Sequence, residues 1–459
     1  MLTTATTPHP VVIIGAGPIG LAAAAHLTER GQPFLVLEAG PTAAAAITDW
    51  GHTRLFSPWQ YNIDAAAGRL LEAHGWTAPD SDALPTGQEL GEQYLEPLAQ
   101  LPQLTQSIRY GTRVIAVSRA GLDKTRTSGR DEVPFLVRVE RASGESEDLL
   151  ASAVIDASGT WSTPNPLGQA GLFAPGELDA RASGRISRTL PDVLGRDRGV
   201  FAGRRVMVVG AGHSAANTLL DLADLAEREP STTITWAVRT ADLSRVYGGG
   251  EQDELAARGA LGTRLRRLVD SGRITVLTSF TITKFTQEGA LSVHATTPQG
   301  ERVEVVDVLV PATGFRPNLG MLAELRLSLD TAVEAPAQLG PLIDPEFHSC
   351  GSVEPHGERV LAHPEKNFYI VGMKSYGRAP TFLMATGYEQ VRSIAAALAG
   401  DREAADAVYL ELPETGVCTT DLGGSCDAPA PTSDGCCAPA PTESSCCTSP
   451  QPIALTIGR

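Results

Sequence analysis

Three groups of residues in this 459-residue chain have the types and spacing to do chemistry. The first is the turn Gly15-Ala-Gly17-Pro-Ile-Gly20. Gly15 allows a tight turn, Gly17 lets the backbone approach a pyrophosphate, and Gly20 lets the next helix pack closely on the preceding strand. The helix N-terminus then faces the negative phosphates. Glu38, 18 residues past Gly20, is placed to accept hydrogen bonds from ribose hydroxyls. The second group is Gly210-Ala-Gly212-His213-Ser214-Ala215, where alanine stands for the third glycine. That change suits a nicotinamide dinucleotide held slightly away from the helix. His213 and Ser214 fall at the helix start, as cap or phosphate contacts. The following strand ends in Arg239 where the first unit has an acid. An acid would repel a 2′-phosphate, whereas arginine pairs with it bidentately, so Arg239 favours NADPH over NADH, with Arg245 a weaker second candidate.

The third group is the cysteines. Six of the seven lie between Cys418 and Cys447, four of them as the adjacent pairs Cys436-Cys437 and Cys446-Cys447. Zinc sites favour C-x₂₋₄-C spacing, which adjacent pairs do not give. Two neighbouring soft sulfurs suit a thiophilic ion such as arsenite, mercuric or cuprous ion. They could also take up electrons as a vicinal disulfide. This stretch repeats APAPT at 428–432 and 438–442 and is rich in Pro, Ser, Thr, Gly and Ala, so it is expected to be disordered. A flexible chain of 30 residues reaches roughly 30 Å root-mean-square. Cys350 stands alone and reads as an incidental thiol. No C-x-x-C occurs, which excludes an active-site dithiol of that spacing.

The elements that must position these residues follow from the flanking pattern. Val11 onward reads as a buried strand, Leu21–Leu27 as helix and Pro33–Glu38 as the second strand. Arg205 opens the second unit, with helix to about Ala226 and strand Thr233–Arg239. The two openings stand 195 residues apart, from Gly15 to Gly210, which predicts an α/β chain with two Rossmann-like dinucleotide-binding domains. Thr112–Ser118 and Phe135–Glu140 alternate as strands of a small antiparallel layer. Val306–Val310 and Phe368–Gly372 read as buried strands returning to the first sheet, and Gly387–Leu398 as the closing helix. With 37 basic and 53 acidic residues the net charge is −16, which argues against nucleic acid and anionic membrane as partners. The apolar run Val11–Ala25 is broken by three glycines and a proline and does not read as a membrane span. The opening MLTTATTPHP has no basic region or cleavage site, so a cytoplasmic location with reduced thiols is expected.

Together with Asp156-Ala-Ser-Gly159-Thr-Trp161 and Asp307–Asn318, the two turns resemble the two-dinucleotide-binding-domain flavoproteins over about residues 10–400. Within that group the chain is most similar to the flavin-containing monooxygenase-like branch. The resemblance implies FAD at the first turn and NADPH at the second. It implies an FAD domain of residues 1–185 and 306–411, an NADPH domain inserted at 186–305, and a tail of 412–459. Gly159, Thr313, Gly314, Gly372 and Thr381 become cofactor contacts, and Ala312-Thr313-Gly314 the crossing between domains. The stretch Leu55–Asp64 is similar in position to a flavin-side segment bearing an asparagine, which gives Asn62 a role where flavin meets oxygen. The resemblance sets the segment Val371–Thr381 at the flavin's pyrimidine edge as the opening of the closing helix, with Pro380 in its first turn. A helix start there favours negative charge on reduced flavin. Lys374, Tyr376 and Arg378 would then line the flavin or an anionic substrate, with Tyr376 the catalytic candidate. Between Phe201 and Gly210 there is no histidine, a departure from the family's Baeyer–Villiger pattern, so that chemistry is not expected. The tail is similar to those of some flavoproteins associated with arsenic resistance, which implies metalloid binding at Cys436, Cys437, Cys446 and Cys447. The implied activity is hydride transfer from NADPH to FAD and delivery of one atom of molecular oxygen to a soft nucleophile: sulfur, nitrogen or an organoarsenical. Two alternatives stay open. One is a reductase passing electrons from flavin to the tail thiols and on to a metalloid or disulfide. The other is a soft-metal-binding protein with degenerate nucleotide domains, against which intact Glu38 and Arg239 speak.

Overall fold

The computed structural model describes residues 9–244, 246, 247, 256–345, 355–380 and 382–410. The chain divides by contacts into Met1–Leu422 and Gly423–Arg459. Arg245, Cys350, Thr381 and the six cysteines from Cys418 to Cys447 lie outside the described residues.

The sequence Val11–Ile14 (β1) is four apolar residues in a row, all buried. Such a run suits a parallel strand covered on both faces. It pairs in parallel with Phe34–Leu37 (β2) on one side and Ala153–Asp156 (β7) on the other. Ile108–Arg109 (β3) lies beyond β2 and Phe368–Ile370 (β15) beyond β7, giving the order β15-β7-β1-β2-β3. The second sheet repeats the plan with Arg205–Val209 (β8), Thr233–Ala237 (β9), Thr275–Leu277 (β10) and Val308–Pro311 (β14), all parallel, in the order β10-β9-β8-β14. In both sheets the chain runs outward from the first strand and then crosses to its other side. The reversal opens a crevice at the carboxyl ends of β1 and β7, and of β8 and β14, where open α/β sheets take ligands. The helix Pro18–Glu29 (α1) follows β1, His213–Arg228 (α2) follows β8, and Met384–Leu398 (α3) packs against α1.

Each parallel sheet carries a small antiparallel layer. Thr112–Arg119 (β4), Phe135–Arg141 (β5) and Ser146–Ala151 (β6) form the one expected on the first sheet. Thr281–Glu288 (β11), Ala290–Thr297 (β12) and Gly300–Val306 (β13) form the other. The first layer is tied down by a buried charge cluster. Glu365, fully buried, accepts from Arg119 Nε at 2.7 Å and Arg130 Nη2 at 2.9 Å, and from the Arg326 amide at 3.1 Å. Burial opposes its charge, and the hydrogen bonds from Arg130 and Arg119 outweigh burial, holding the carboxyl below its ordinary value.

Three expectations are corrected. The strand near Val306–Val310 belongs to the second sheet, where β14 pairs with β8. An apolar run carries no address. Asp307 supplies it, accepting from the Arg205 amide at 2.9 Å and from Arg205 Nη2 at 2.8 Å. The inserted domain also starts before residue 186. Leu167, Ala174, Ala180 and Ile186 share a core with Met207, Phe285 and Leu309, so the insertion runs from about residue 167 to Pro311. Finally, the closing helix begins at Met384 with Leu383 as N-cap, four residues after Pro380. Proline fits a first helical turn without requiring one.

Replacing Glu365 by glutamine leaves two buried guanidiniums without their anion. The expected loss is about 3–5 kcal/mol of unfolding free energy, measured by urea denaturation. A loss below about 1 kcal/mol would mean that solvent reaches the cluster.

Candidate active site

At the first turn Gly15 has φ +102° and donates its amide to the Leu37 carbonyl at 2.8 Å. A Cβ here would stand 2.9 Å from the Ala157 carbonyl oxygen, just past the end of β7. A Cβ at Gly20 would lie 1.9 Å from the Gly15 carbonyl oxygen, so helix and strand meet closer than any side chain permits. Gly17 is the N-cap of α1, and a Cβ there would meet nothing within 4 Å. The turn therefore leaves an open cradle before the helix N-terminus, as a pyrophosphate requires. Glu38, just past β2, accepts from the Ala16 amide and the Gly40 amide, each at 2.7 Å. Its carboxylate thus stands beside the glycine turn. Gly159 follows in the loop after β7.

The second turn repeats this geometry. A Cβ at Gly210, φ +136°, would lie 1.9 Å from the carbonyl oxygen of Ala312, just past the end of β14. Gly212 caps α2 and also fronts open space. Ala215 is fully buried, and Ser214 follows His213 in the first turn of α2. The His213 ring packs on Phe56 at 5.1 Å between centroids. Phe56 comes from the first domain's 55–64 stretch, so that stretch touches the start of α2. Trp236, on β9, donates its indole N–H to the Gly210 carbonyl at 2.7 Å and pins the turn. Sequence reading passed over it, because a buried tryptophan in a strand looks like core alone. Arg239 is exposed two residues past β9, and among the described residues its guanidinium makes no hydrogen bond or ion pair.

The connections between domains run side by side. Pro164 bridges Phe315 in antiparallel fashion. Thr313 Oγ1 donates to the Asn165 carbonyl at 2.9 Å, Asn165 Nδ2 returns to the Thr313 carbonyl at 3.0 Å, and the Asn165 amide donates to the Gly314 carbonyl at 2.9 Å. Thr313 and Gly314 are thus held at the crossing itself.

The roles expected for Asn62, Tyr376, Lys374 and Arg378 do not match their surroundings. Asn62 is fully buried, and its carboxamide is committed within its own turn: Nδ2 donates to the Ser57 carbonyl at 2.7 Å and the Pro58 carbonyl at 3.0 Å, and Oδ1 accepts from Ser57 Oγ at 3.0 Å. Neither amide hydrogen is left for a flavin. Tyr376 lies in the core, edge-on to Phe382 at 5.1 Å. Ahead of it, Gly372 has φ +67°, a Cβ there would stand 3.1 Å from Ile19 Cγ1, and its amide donates to Gln390 Oε1 at 2.8 Å. Lys374 is fully buried, its Nζ 2.7 Å from Asp156 Oδ2 and 3.1 Å from Ser158 Oγ. It lines no surface. Instead it ties the loop after β15 to the loop after β7 that carries Gly159. No sequence spacing links residues 218 positions apart. Arg378 pairs with Glu334 at 2.8 Å. Thr381 and the four tail cysteines lie outside the described residues, and among those described no cluster of three His, Cys, Asp or Glu could hold a metal. Among them, too, no helix is long and apolar enough to cross a membrane.

The free fork of Arg239 makes a direct expectation. Arg239→Ala is expected to weaken NADP⁺ binding about ten- to a hundredfold and to leave NAD⁺ binding unchanged, by equilibrium titration. Equal affinity of the parent chain for both nucleotides would remove the assignment.

Comparison with known proteins places this geometry. Residues 12–338 match the family described as pyridine nucleotide-disulphide oxidoreductase. A ferredoxin–NADP reductase of Rhodospirillum rubrum is 27% identical over 305 residues, covering 64% of this chain and 76% of that one. The bacillithiol disulfide reductase of Bacillus cereus superposes with a TM-score of 0.64 at 18% identity, over 86% of this chain and 99% of its own. DfoA of Erwinia amylovora, a cadaverine monooxygenase solved with FAD, gives a TM-score of 0.60 at 14% identity, over 89% and 99%. The chain belongs to the pyridine nucleotide-disulphide oxidoreductase family and is an NAD(P)H-dependent flavoprotein oxidoreductase with FAD and NADP(H) as cofactors.

Proposed function

We propose that this flavoprotein is an NADPH-dependent monooxygenase of the cytoplasm that oxygenates a small molecule at a soft nucleophile, sulfur, nitrogen or an organoarsenical. The observation that carries the reading is the distribution of cysteine. Between residues 9 and 411, which hold both nucleotide domains, there is a single cysteine, Cys350, and so no pair. A disulfide reductase needs a thiol pair within reach of its flavin, and neither domain can supply one. In this reading molecular oxygen takes the electrons.

In this reading FAD is held by the Gly15–Gly20 turn, Glu38, Gly159 and the loop of Gly372, and NADPH by the Gly210–Ala215 turn and Arg239. Bound there, NADPH would supply a hydride and FAD the chemistry to accept it and pass two electrons to oxygen. The residues of the chain position and shield. The N-termini of α1 and α2 offset the charge of two pyrophosphates. The Lys374–Asp156 pair fixes the loops at the mouth of the first crevice. The Thr313–Asn165 clamp keeps the two crossings in register. Trp161 and Phe315 stack beside that crossing.

A second reading comes from the tail. The pairs Cys436-Cys437 and Cys446-Cys447 offer soft sulfurs to arsenite or a similar ion, which would connect the protein with arsenic resistance. They either gather the ion or carry electrons to it.

One experiment on two chains separates these readings: oxygen uptake and NADPH oxidation by the full chain and by a chain ending at Leu412. Oxygen uptake equal to NADPH oxidation, stimulated by a nucleophilic substrate and alike in both chains, is the expected result. The shorter chain should lose tight arsenite binding. NADPH turnover that needs a disulfide or metalloid acceptor and vanishes on truncation would replace the oxygenase with a reductase.

A further inference from the structure

Beside the bridge between Pro164 and Phe315 lies a cleft of about 270 Å³, with walls from both domains. Trp161, from the loop after β7, and Phe315, from the loop after β14, give it an aromatic wall, their rings 4.9 Å apart and tilted by 35°. The Trp161 indole N–H donates to Asp49 Oδ2 at 3.1 Å, which fixes the ring. Two arginines border the cleft and differ in one respect. Arg181 is spent: its Nε and Nη2 both go to Glu177 Oε1, at 3.2 and 2.9 Å. Arg188 is not. Its nearest anion is Asp49 Oδ1 at 3.6 Å, too far for a hydrogen bond, and among the described residues its guanidinium makes none.

The backbone that carries Arg188 is constrained. Two residues on, Leu190 is buried at φ +53°, a left-handed conformation that a bulky side chain adopts only when its surroundings impose it. Thr189 Oγ1, between them, donates to the carbonyl of Pro311 at the end of β14 at 3.2 Å. The segment is therefore fastened to the crossing, and Arg188 lines the cleft from it.

We infer that this cleft is the substrate site and that its ligand is a compact planar monocarboxylate. The ring would lie against Trp161 and Phe315, and the carboxylate would take the fork of Arg188. What happens to the ligand rests on the monooxygenase reading; its binding does not. The volume lies at the small end of ligand pockets and admits one ring with an acid group, not a dinucleotide. Arginine's planar fork matches a carboxylate bidentately, and flat rings stack on aromatic walls. Asp49, 3.6 Å from the guanidinium, stands against a second negative charge, so a dianion such as phosphate is disfavoured.

The test is calorimetric titration of the FAD-loaded full chain, without NADPH, using benzoate, its neutral isostere benzamide, and inorganic phosphate as probes. Benzoate is expected to bind once per chain, at least about tenfold tighter than benzamide or phosphate. Arg188→Gln, an exposed position, should keep its FAD and lose that preference, with benzamide binding unchanged. Trp161→Leu should weaken benzoate and benzamide alike. Benzoate bound no better than benzamide, phosphate bound as tightly as benzoate, full benzoate affinity in Arg188→Gln, or no binding up to about 10 mM benzoate would each overturn the inference. Arg188-dependent benzoate binding in a protein that consumes no oxygen would uphold this site and remove the oxygenase reading.

Discussion

One steric constraint, made twice, organises this molecule: a glycine forced against the chain just past a neighbouring strand. Gly15 abuts Ala157 and Gly210 abuts Ala312, each too closely for any side chain. That approach brings the loop after the fourth strand of each sheet, β7 or β14, over the start of the helix after the first. The helix N-terminus, its free amides and the strand ends then share one small region, the place where a parallel sheet can take a phosphate. Because the contact recurs in both domains, Ala157 and Ala312 also fix where the two connections leave their sheets. The connections meet as the bridge between Pro164 and Phe315, and the aromatic cleft forms beside it.

Charge reinforces what sterics sets. Lys374 and Asp156 are both fully buried and bonded to each other and to Ser158, so neither is left uncompensated. Breaking such a pair strands an ion in a dry interior, which ties the loop after β15 to the loop after β7. Glu365 does the same for the first antiparallel layer with Arg119 and Arg130. Arg205 and Asp307 do it for β8 and β14 at the surface. In each case a charge pair decides which elements lie side by side, a choice that apolar patterning leaves open.

What could be read from the sequence divides along that line. The glycine turns, the place of Glu38 beside the first of them and the paired sheets were legible because their signals are local: a strand, a turn and a helix within about thirty residues. The sheet that takes Val308–Pro311 was not, since a buried strand looks the same in either sheet until Asp307 finds Arg205. Asn62 and Tyr376 were read from position alone. Their chemistry is decided by direction, and both side chains turn into the protein, one into its own turn and the other towards Phe382. Lys374 read as a charged loop residue because its partner is distant in sequence. The cleft was invisible for the same reason, being assembled from residues near 49, 161, 188 and 315.

On the proposed oxygenase reading the two nucleotide domains hold one two-electron acceptor, whose electrons go to oxygen. The most direct measurement is anaerobic titration of the FAD-loaded full chain, as isolated, with NADPH, followed by flavin absorbance. Complete bleaching at one equivalent of NADPH per FAD, with return of the oxidised spectrum on admitting air, is the expected result. Uptake of a second equivalent per FAD would reveal another two-electron acceptor such as a thiol pair, and would contradict the oxygenase account in favour of a reductase.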